Sequence, residues 1–179
     1  MIILAVTGLI GSGKDSVAGY LEGRYGFHLI DYSQVVGEML TARGLSHDRD
    51  YKRNLRKEHG HRFLAEEVVK RLKAGNWEYV VLSALRRPED YTVVKDAFPQ
   101  SRLLVIEATS KMRYEHTKKR TRDTPLSWEH FLEEDKKEEE IFQFTKTFQL
   151  RDYTITNNST LEELHQQVDV IVQTLGDTN

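Results

Sequence analysis

The sequence predicts an α/β fold in which a five-stranded parallel sheet carries helices on both faces. Short apolar runs alternate along the chain with segments of helical periodicity, as in strands joined by helical crossovers. The runs are almost continuously hydrophobic, which is typical of strands buried on both faces. A glycine-rich loop separates the first run from the first helical segment. These observations place the carboxyl ends of the strands, where α/β proteins bind ligands, beside that loop.

Five apolar runs predict the strands, at residues 2–6, 27–30, 79–82, 102–106 and 153–156. Between and after them, helical spacing predicts α-helices at residues 16–25, 61–73, 88–97 and 161–175. Gly26 and Gly75 follow the first two of these helices, and glycine is common at helix ends.

The loop between the first strand and the first helix reads GLIGSGKDS over residues 8–16, which matches the Walker A phosphate-binding pattern. Gly8, Gly11 and Gly13 are expected to adopt positive φ and to bring backbone N–H groups against an anionic oxygen. The following helix adds the positive end of its dipole, and Lys14 adds a charge that follows the β- and γ-phosphates. The pattern therefore predicts a nucleoside triphosphate site. Its predicted residues are Gly8, Ile10, Gly11, Ser12, Gly13, Lys14, Asp15 and Ser16.

Asp15 departs from the pattern, which has Ser or Thr after the lysine to bind Mg²⁺. An aspartate is a hard oxygen ligand that holds Mg²⁺ directly or through water. Its negative charge beside phosphates is tolerated when a cation lies between them. We therefore interpret Asp15 and Ser16 as a variant Mg²⁺ site. The alternative is a helix N-terminal charge favoured by the dipole.

The segment around residues 111–150 is too long for a simple connection and is dense in charge. Its acidic second part is interpreted as a solvated helix pair, in which Glu and Lys four residues apart stabilise the helices. Its basic first part is interpreted as a lid whose arginines close over the transferred phosphoryl group and exclude water. Arg120 and Arg122 are the pair predicted to do so.

The composition predicts one domain over residues 1–179, with a formal net charge of −2 and no cysteine. This charge does not indicate a nucleic-acid partner. The lack of cysteine excludes a disulfide framework, a thiol nucleophile and a Cys-based zinc site. The N-terminal apolar run is too short to span a membrane, so we expect a cytoplasmic protein with no membrane partner. We expect a monomer or homodimer.

The order of loop, strands and arginine-bearing insertion resembles the P-loop nucleotide kinases, the superfamily of nucleoside monophosphate kinases and dephospho-CoA kinase. The likeness covers nearly the whole chain. The GSGKD form of the loop is similar to phage-type deoxynucleoside monophosphate kinases and to animal phosphomevalonate kinase. Residues 80–86, Arg120 with Arg122, and residues 133–135 and 152–157 look more like archaeal nucleotide kinases related to dephospho-CoA kinase.

This resemblance implies a P-loop kinase fold with a helical lid, and ATP and Mg²⁺ as cofactors. In such enzymes the segment around the fifth strand lies beside the adenine, so Asn157 and Asn158 are expected at the base site. Asparagine between a strand and a helix is also common turn chemistry, and this alternative stays open.

The phosphoryl acceptor is expected across the cleft, at the carboxyl end of the second strand. Asp31 and Ser33 follow that strand, where the family handles its acceptor. Asp31 is suited to accept the proton of an acceptor hydroxyl or to hold Mg²⁺ through water. A strand-end turn residue is the equally weighted alternative.

Arginines are the predicted ligands of an acceptor phosphate. Arg86 follows the third strand and matches an arginine of the related kinases, and a strand end fixes its position well. Arg53 and Arg56, with the neighbouring lysines 52 and 57, offer a second basic surface. A solvated helix face is nearly as good an interpretation of that surface.

Two positions depart from the family pattern. The third strand ends in Ser83 and Ala84, where the archaeal relatives tend to have Asp and Gly, and Gly37 stands where an acceptor-binding arginine is expected. The sequence thus predicts an ATP-dependent kinase that acts on a small phosphorylated acceptor, a nucleoside or deoxynucleoside monophosphate. The alternatives are a dephospho-CoA kinase and a catalytically weak ATP-binding regulatory protein.

Overall fold

The computed structural model describes residues 1–46, 59–119 and 127–176. Within these ranges, five parallel strands form one sheet in the order β2-β3-β1-β4-β5. The strands are β1 (Ile2–Thr7), β2 (His28–Asp31), β3 (Tyr79–Ser83), β4 (Arg102–Glu107) and β5 (Tyr153–Thr156). The helices described are α1 (Lys14–Tyr25), α2 (Tyr32–Ala42), α3 (Phe63–Ala74), α4 (Pro88–Ala97), α5 (Ser110–Lys118), α6 (Trp128–Phe142), α7 (Phe144–Phe148) and α8 (Leu161–Gly176).

The sheet separates two hydrophobic cores. Ile3 and Ala5 face the core formed with α2, α3 and α4, whereas Leu4 and Val6 face the core formed with α1 and α8. Because side chains alternate along a strand, β1 is buried on both faces, which explains its continuous apolar sequence. The five predicted strands and the four predicted helices are confirmed, with bounds that shift by at most two residues.

The strand registers bring the carboxyl ends of the strands to one edge of the sheet. Asp31 at the end of β2 pairs with Ser83 at the end of β3, and Thr7 at the end of β1 pairs with Val105 near the end of β4. Since β3 lies between β1 and β2, the ends of β1 and β2 are separated by two strand spacings, about 10 Å. The phosphate loop and the predicted acceptor residue therefore emerge on the same side of the sheet.

The segment around residues 111–150 contains α5, α6 and α7, packed over this edge. Among the described residues, no helix combines the length and the apolar character needed to cross a membrane.

Asp90 fixes the turn between β3 and α4. Its side chain is fully buried and accepts the backbone N–H groups of Arg86 and Arg87, at 3.0 and 3.1 Å. Pro88 starts α4, where its missing N–H costs nothing. The Tyr32 hydroxyl donates to the Asp90 carbonyl at 2.7 Å and ties this turn to α2. The backbone that carries Arg86 is thus held from two sides.

Asp152 anchors the start of β5 in a similar way. Its carboxylate accepts the Leu103 N–H at 2.8 Å and the Tyr91 hydroxyl at 3.1 Å. Burial, followed by the charge of Asp152, raises the pKa of Tyr91 above its ordinary value. Tyr91 therefore stays protonated and donates this hydrogen bond at neutral pH, which fixes the strand that leads to Asn157.

Asp90→Ala is expected to lower the free energy of unfolding by about 1–3 kcal/mol, because two buried N–H groups lose their acceptor. Asp96→Ala on the exposed face of the same helix is the matched control and is expected to change it by less than about 0.5 kcal/mol. Urea unfolding of both variants measures this difference. Equal effects in the two variants would show that the turn does not depend on Asp90.

Candidate functional site

The loop after β1 leads directly into α1 and leaves the helix start open. Gly13 is the N-cap residue, in the left-handed conformation with φ 100° and ψ 10°, and makes no side-chain cap hydrogen bond. Gly11 also has positive φ, at 78°. The prediction of positive φ is therefore confirmed at these two glycines. An open helix start with a glycine N-cap is suited to an anion, because N–H groups of the first turn and the dipole attract it.

At Gly8 the prediction of positive φ is wrong, since its backbone does not adopt the left-handed region. The glycine is required for a different reason. A Cβ at this position would overlap the Ser12 side chain and the carbonyl oxygen of Ile106 at the end of β4. The chain continues out of β1 without a left-handed turn, and close approach of β4 leaves no room for a side chain.

Lys14 and Asp15 lie side by side in the first turn of α1. Lys14 Nζ is 3.8 Å from Asp15 Oδ1, and the side chains are 16% and 58% exposed. Ser16 follows and is exposed. A cation, a carboxylate and a hydroxyl beside an open helix start form a donor set that fits a triphosphate with Mg²⁺, which usually takes one or two carboxylates plus phosphate oxygens. The described residues contain no cluster of three or more His, Asp or Glu side chains able to hold a metal by themselves.

Helix α5 packs against the outside of the loop through two side chains. Arg113 Nη1 donates to the Ile10 carbonyl oxygen at 3.1 Å, and His116 Nδ1 lies 2.8 Å from the Gly11 carbonyl oxygen. Sequence reasoning missed both residues as site residues. A signal was available, because residues three apart on a helix that begins just after a strand end share the face turned to the loop.

Arg113 is almost completely buried and is paired with α6. Its side chain is 3% exposed, and its two terminal nitrogens contact the two carboxylate oxygens of Asp135 at 2.6 and 2.5 Å. The guanidinium lies over the Phe131 ring, 5.3 Å from its centroid. Asp135 neutralises the buried charge, so Arg113 connects the loop to α6.

Asn157, in the turn after β5, also contacts the loop. Its side chain is 7% exposed, and Nδ2 donates to the Ser12 carbonyl oxygen at 2.9 Å. The neighbouring Asn158 accepts the Thr109 N–H through Oδ1 at 2.8 Å, which ties the turn after β5 to the start of α5. The structure thus brings Asn157 to the loop itself, and the adenine contact predicted for it stays a prediction.

At the end of β2, Asp31 is the N-cap of α2. Its Oδ1 atom accepts the N–H groups of Ser33 and Gln34, at 2.8 and 3.0 Å. The Ser33 side chain is exposed, whereas Ser83 on the neighbouring strand is 1% exposed. Asp31 therefore has the turn role given as its alternative, and this role also fixes the carboxylate at the strand end.

Arg86 lies at the end of β3 and faces α6. Its Nη1 atom is 3.1 Å from Glu138 Oε1, and its guanidinium lies 4.8 Å from the centroid of the Phe142 ring. Its side chain remains 40% exposed. Asp135 and Glu138 thus each pair with an arginine of the site, and the expectation of a merely solvated acidic helix is wrong for these two residues. It is right for Glu134, which pairs with Lys137 on the surface.

Four predicted arginines lie outside the described residues. They are Arg53, Arg56, Arg120 and Arg122.

A cavity of about 480 Å³ lies along the β2 edge of the sheet. Its described lining includes Asp31 but no residue of the phosphate loop. Trp77 and His28 stack in its wall, with ring centroids 4.0 Å apart. The hydrogen bond that Arg71 donates to Glu38 lowers the pKa of that carboxyl below its ordinary value, so the wall also carries a fixed ion pair.

Comparison with known proteins places the chain among archaeal relatives. No family model matches the chain. The UPF0200 protein of Pyrobaculum aerophilum is 33% identical over 172 residues, which cover 95% of this chain and 96% of the relative. The UPF0200 protein of Thermococcus onnurineus is 31% identical over 182 residues, with 96% and 97% covered.

Solved structures share the fold at low sequence identity. Shikimate kinase from Acinetobacter baumannii has a TM-score of 0.65 at 16% identity, with 99% of this chain and 94% of that chain covered. A gluconokinase from Sinorhizobium meliloti has a TM-score of 0.61 at 16% identity, with 98% and 93% covered. The predicted P-loop kinase fold is therefore confirmed.

Gly11→Ala is expected to weaken binding of MgATP by about ten- to hundredfold, because the left-handed backbone and the overlap with the Arg113 carbonyl strain the loop. Gly19→Ala is the matched control inside α1, where a Cβ meets nothing within 4 Å. It is expected to leave binding unchanged and to stabilise the protein by about 0.5–1 kcal/mol. Titration calorimetry and thermal unfolding measure both quantities. Unchanged MgATP binding in Gly11→Ala would contradict the assignment of this loop as the phosphate-binding site.

Proposed function

Since the chain belongs to the UPF0200 family and carries an open phosphate loop on a P-loop kinase fold, we propose that it is an ATP-dependent phosphotransferase. In this proposal it moves the γ-phosphoryl group of MgATP to a small phosphorylated acceptor, a nucleoside or deoxynucleoside monophosphate. The observation that carries the proposal is the left-handed Gly13 at the uncapped start of α1, with the largely buried Lys14 directly after it. This arrangement concentrates N–H groups and one cation at a single point.

The proposed roles on the nucleotide side follow from these positions. Bound MgATP supplies the phosphoryl group and a divalent charge on its oxygens. Loop N–H groups and Lys14 would bind the β- and γ-phosphates, and Asp15 and Ser16 would hold the metal. Arg120 and Arg122 are proposed to close over the transferred group. Positioning and charge stabilisation then supply most of the rate, because phosphoryl transfer needs little covalent chemistry from the protein.

On the acceptor side, Asp31 and Arg86 are the proposed binding residues, together with Ser33, Arg53 and Arg56. The N-cap hydrogen bonds hold Asp31 at the end of β2, about 10 Å across the sheet from the phosphate loop. This spacing leaves room for an acceptor between the two, and the carboxylate is suited to accept a hydroxyl proton there. Arg86 presents a half-exposed guanidinium on the neighbouring strand end, and bidentate contact with a phosphate suits this group.

A catalytically weak ATP-binding regulatory protein is the second candidate. The pairing of Arg86 with Glu138 favours it, because an arginine held by its own chain is less available to an acceptor. The buried Ser83 favours it as well, since a hydroxyl is a weaker partner of Mg²⁺ than the carboxylate of the archaeal relatives. Dephospho-CoA kinase, whose acceptor is a ribose hydroxyl, is the alternative within the kinases.

Incubation of the protein with labelled MgATP and a panel of acceptors is expected to yield a new phosphorylated product. The panel contains nucleoside and deoxynucleoside monophosphates and dephospho-CoA, with shikimate and gluconate added because structurally similar kinases are named for these substrates. Lys14→Ala is expected to reduce the rate on the order of 10³-fold, because it removes a central cation of the transition state. Chromatography of the products measures both.

Lys70→Ala is the control, since this lysine is 76% exposed on α3 and its loss leaves the phosphate loop intact. A product that forms from dephospho-CoA alone would select the alternative acceptor. Tight ATP binding with no product from any acceptor would select the regulatory protein.

Arg86→Ala is expected to raise the KM of the phosphorylated acceptor by about ten- to hundredfold and to leave the KM of ATP within about twofold, because a charged hydrogen bond to the acceptor phosphate is lost. Steady-state kinetics with each substrate varied in turn measure the two constants. Glu138→Gln is the matched control, since it weakens the same contact with α6 but keeps the guanidinium. Equal increases in both variants would mean that Arg86 acts only by docking α6.

A further inference from the structure

Three consecutive carbonyl groups of the phosphate loop are each bound from outside by a side chain. The Ile10 carbonyl accepts from Arg113 at 3.1 Å, the Gly11 carbonyl contacts His116 Nδ1 at 2.8 Å, and the Ser12 carbonyl accepts from Asn157 at 2.9 Å. We call Arg113, His116 and Asn157 the outer donors. They come from two different elements, α5 and the turn after β5.

These contacts determine where the loop N–H groups point. In a trans peptide the carbonyl and the N–H of the next residue lie in one plane and point in opposite directions. Because the carbonyls of Ile10 and Ser12 turn outward to the outer donors, the N–H groups of Gly11 and Gly13 turn away from them. The peptide between Gly11 and Ser12 is also oriented from inside, since the Ser12 N–H donates to the Leu9 carbonyl at 3.0 Å.

We propose that Arg113, His116 and Asn157 are positioning residues of the phosphate site. They hold the loop, before any nucleotide binds, in the conformation in which the N–H groups of Gly11 and Gly13 face a triphosphate. This inference deepens the proposed kinase function and rests on it. None of the three side chains needs to touch the nucleotide, because each acts through a backbone carbonyl of the loop.

The burial and pairing of the outer donors support this role. Arg113 is 3% exposed and held in both directions, by Asp135 on α6 and by the Ile10 carbonyl. Asn157 is 7% exposed, and a Cβ on Gly13 would overlap its amide. The side chain of Asn157 is thus packed against the loop. The burial of Arg113 and Asn157 restricts rotation of both side chains.

Conformational entropy explains why ordering the loop before the nucleotide binds is useful. Three of the six residues from Gly8 to Gly13 are glycines, which lose more backbone freedom on ordering than any other residue. A loop ordered in advance does not pay this cost when the phosphates bind, and its affinity is correspondingly higher. Because a carbonyl only accepts, the His116 contact requires a proton on Nδ1.

Two substitutions of His116 separate the effect of its N–H donor from the effect of the size of its ring. His116→Asn keeps an N–H donor near the position of Nδ1, and His116→Leu removes it. We expect His116→Leu to weaken binding of MgADP and of inorganic tripolyphosphate by about three- to tenfold, whereas His116→Asn restores most of the wild-type affinity. Asn157→Asp, an isosteric change from donor to acceptor, is expected to weaken both by about tenfold or more. Titration calorimetry measures these affinities.

Backbone ¹⁵N relaxation of the nucleotide-free protein provides a readout that does not depend on binding. The N–H groups of Ser12 and Gly13 belong to the peptides held by His116 and Asn157, and their order parameters are expected to be about 0.85 in the wild type. The value for Ser12 is expected to fall below about 0.6 in His116→Leu, and the value for Gly13 in Asn157→Asp. Thermal unfolding identifies a variant that fails to fold. The two variants act on different carbonyls, so either one alone tests the proposal.

The outcomes separate this inference from the proposed function. Loop N–H groups that are rigid in the wild type and mobile in the variants support the role of the outer donors, even where no nucleotide binds and the proposed function fails. Loop N–H groups that stay equally rigid in folded variants overturn the inference, even where the wild type proves to be a kinase. Equal loss of affinity in His116→Asn and His116→Leu also overturns it, since the donor would then be irrelevant.

Discussion

The central position of β1 is the constraint on which the rest of the site depends. This strand pairs with β3 on one side and β4 on the other, and both of its faces are buried. Its burial gives the loop that follows it a fixed origin in the middle of the sheet edge. The close approach of the Ile106 carbonyl, which only a glycine at position 8 permits, then sets the direction in which the loop leaves. Without this fixed exit, neither the start of α1 nor the carbonyls of the loop would have a defined place to meet their partners.

The contacts that shape the loop come from far along the chain. Arg113 lies 103 residues from Ile10, His116 lies 105 residues from Gly11, and Asn157 lies 145 residues from Ser12. They become neighbours because parallel strands place all their carboxyl ends at one edge, so the segments after β4 and β5 must pass beside the loop after β1. The topology of the sheet thus supplies these donors, and the loop sequence alone does not contain them.

The distance along the chain between the loop and its contacts explains which features were predictable from the sequence. Continuous apolar runs identified the inner strands β1, β3 and β4, and the glycine spacing identified the loop, because both signals are local. The mixed runs at residues 27–30 and 153–156 form the edge strands β2 and β5, each of which has one buried residue. The reason for Gly8 was not predictable, since it depends on a carbonyl of β4. Arg113 and Asp135 were read as members of a basic and an acidic half of one charged segment, whereas they form a buried pair. The adenine contact expected of Asn157 stays a prediction, and its contact with the Ser12 carbonyl followed only from the three-dimensional arrangement.

Helix α6 joins the two sides of the candidate site through its acidic face. Asp135 and Glu138 are three residues apart, so they lie on one face of the helix. Asp135 pairs with Arg113 behind the phosphate loop, and Glu138 pairs with Arg86 at the end of β3. The two pairs differ in character: Arg113 is 3% exposed, whereas Arg86 is 40% exposed. Solvent weakens an exposed pair to about 1 kcal/mol or less, but loss of one partner of a buried pair costs about 3–5 kcal/mol. The contact on the loop side is therefore the structural one, and the pair of Arg86 with Glu138 contributes little to the stability of the fold.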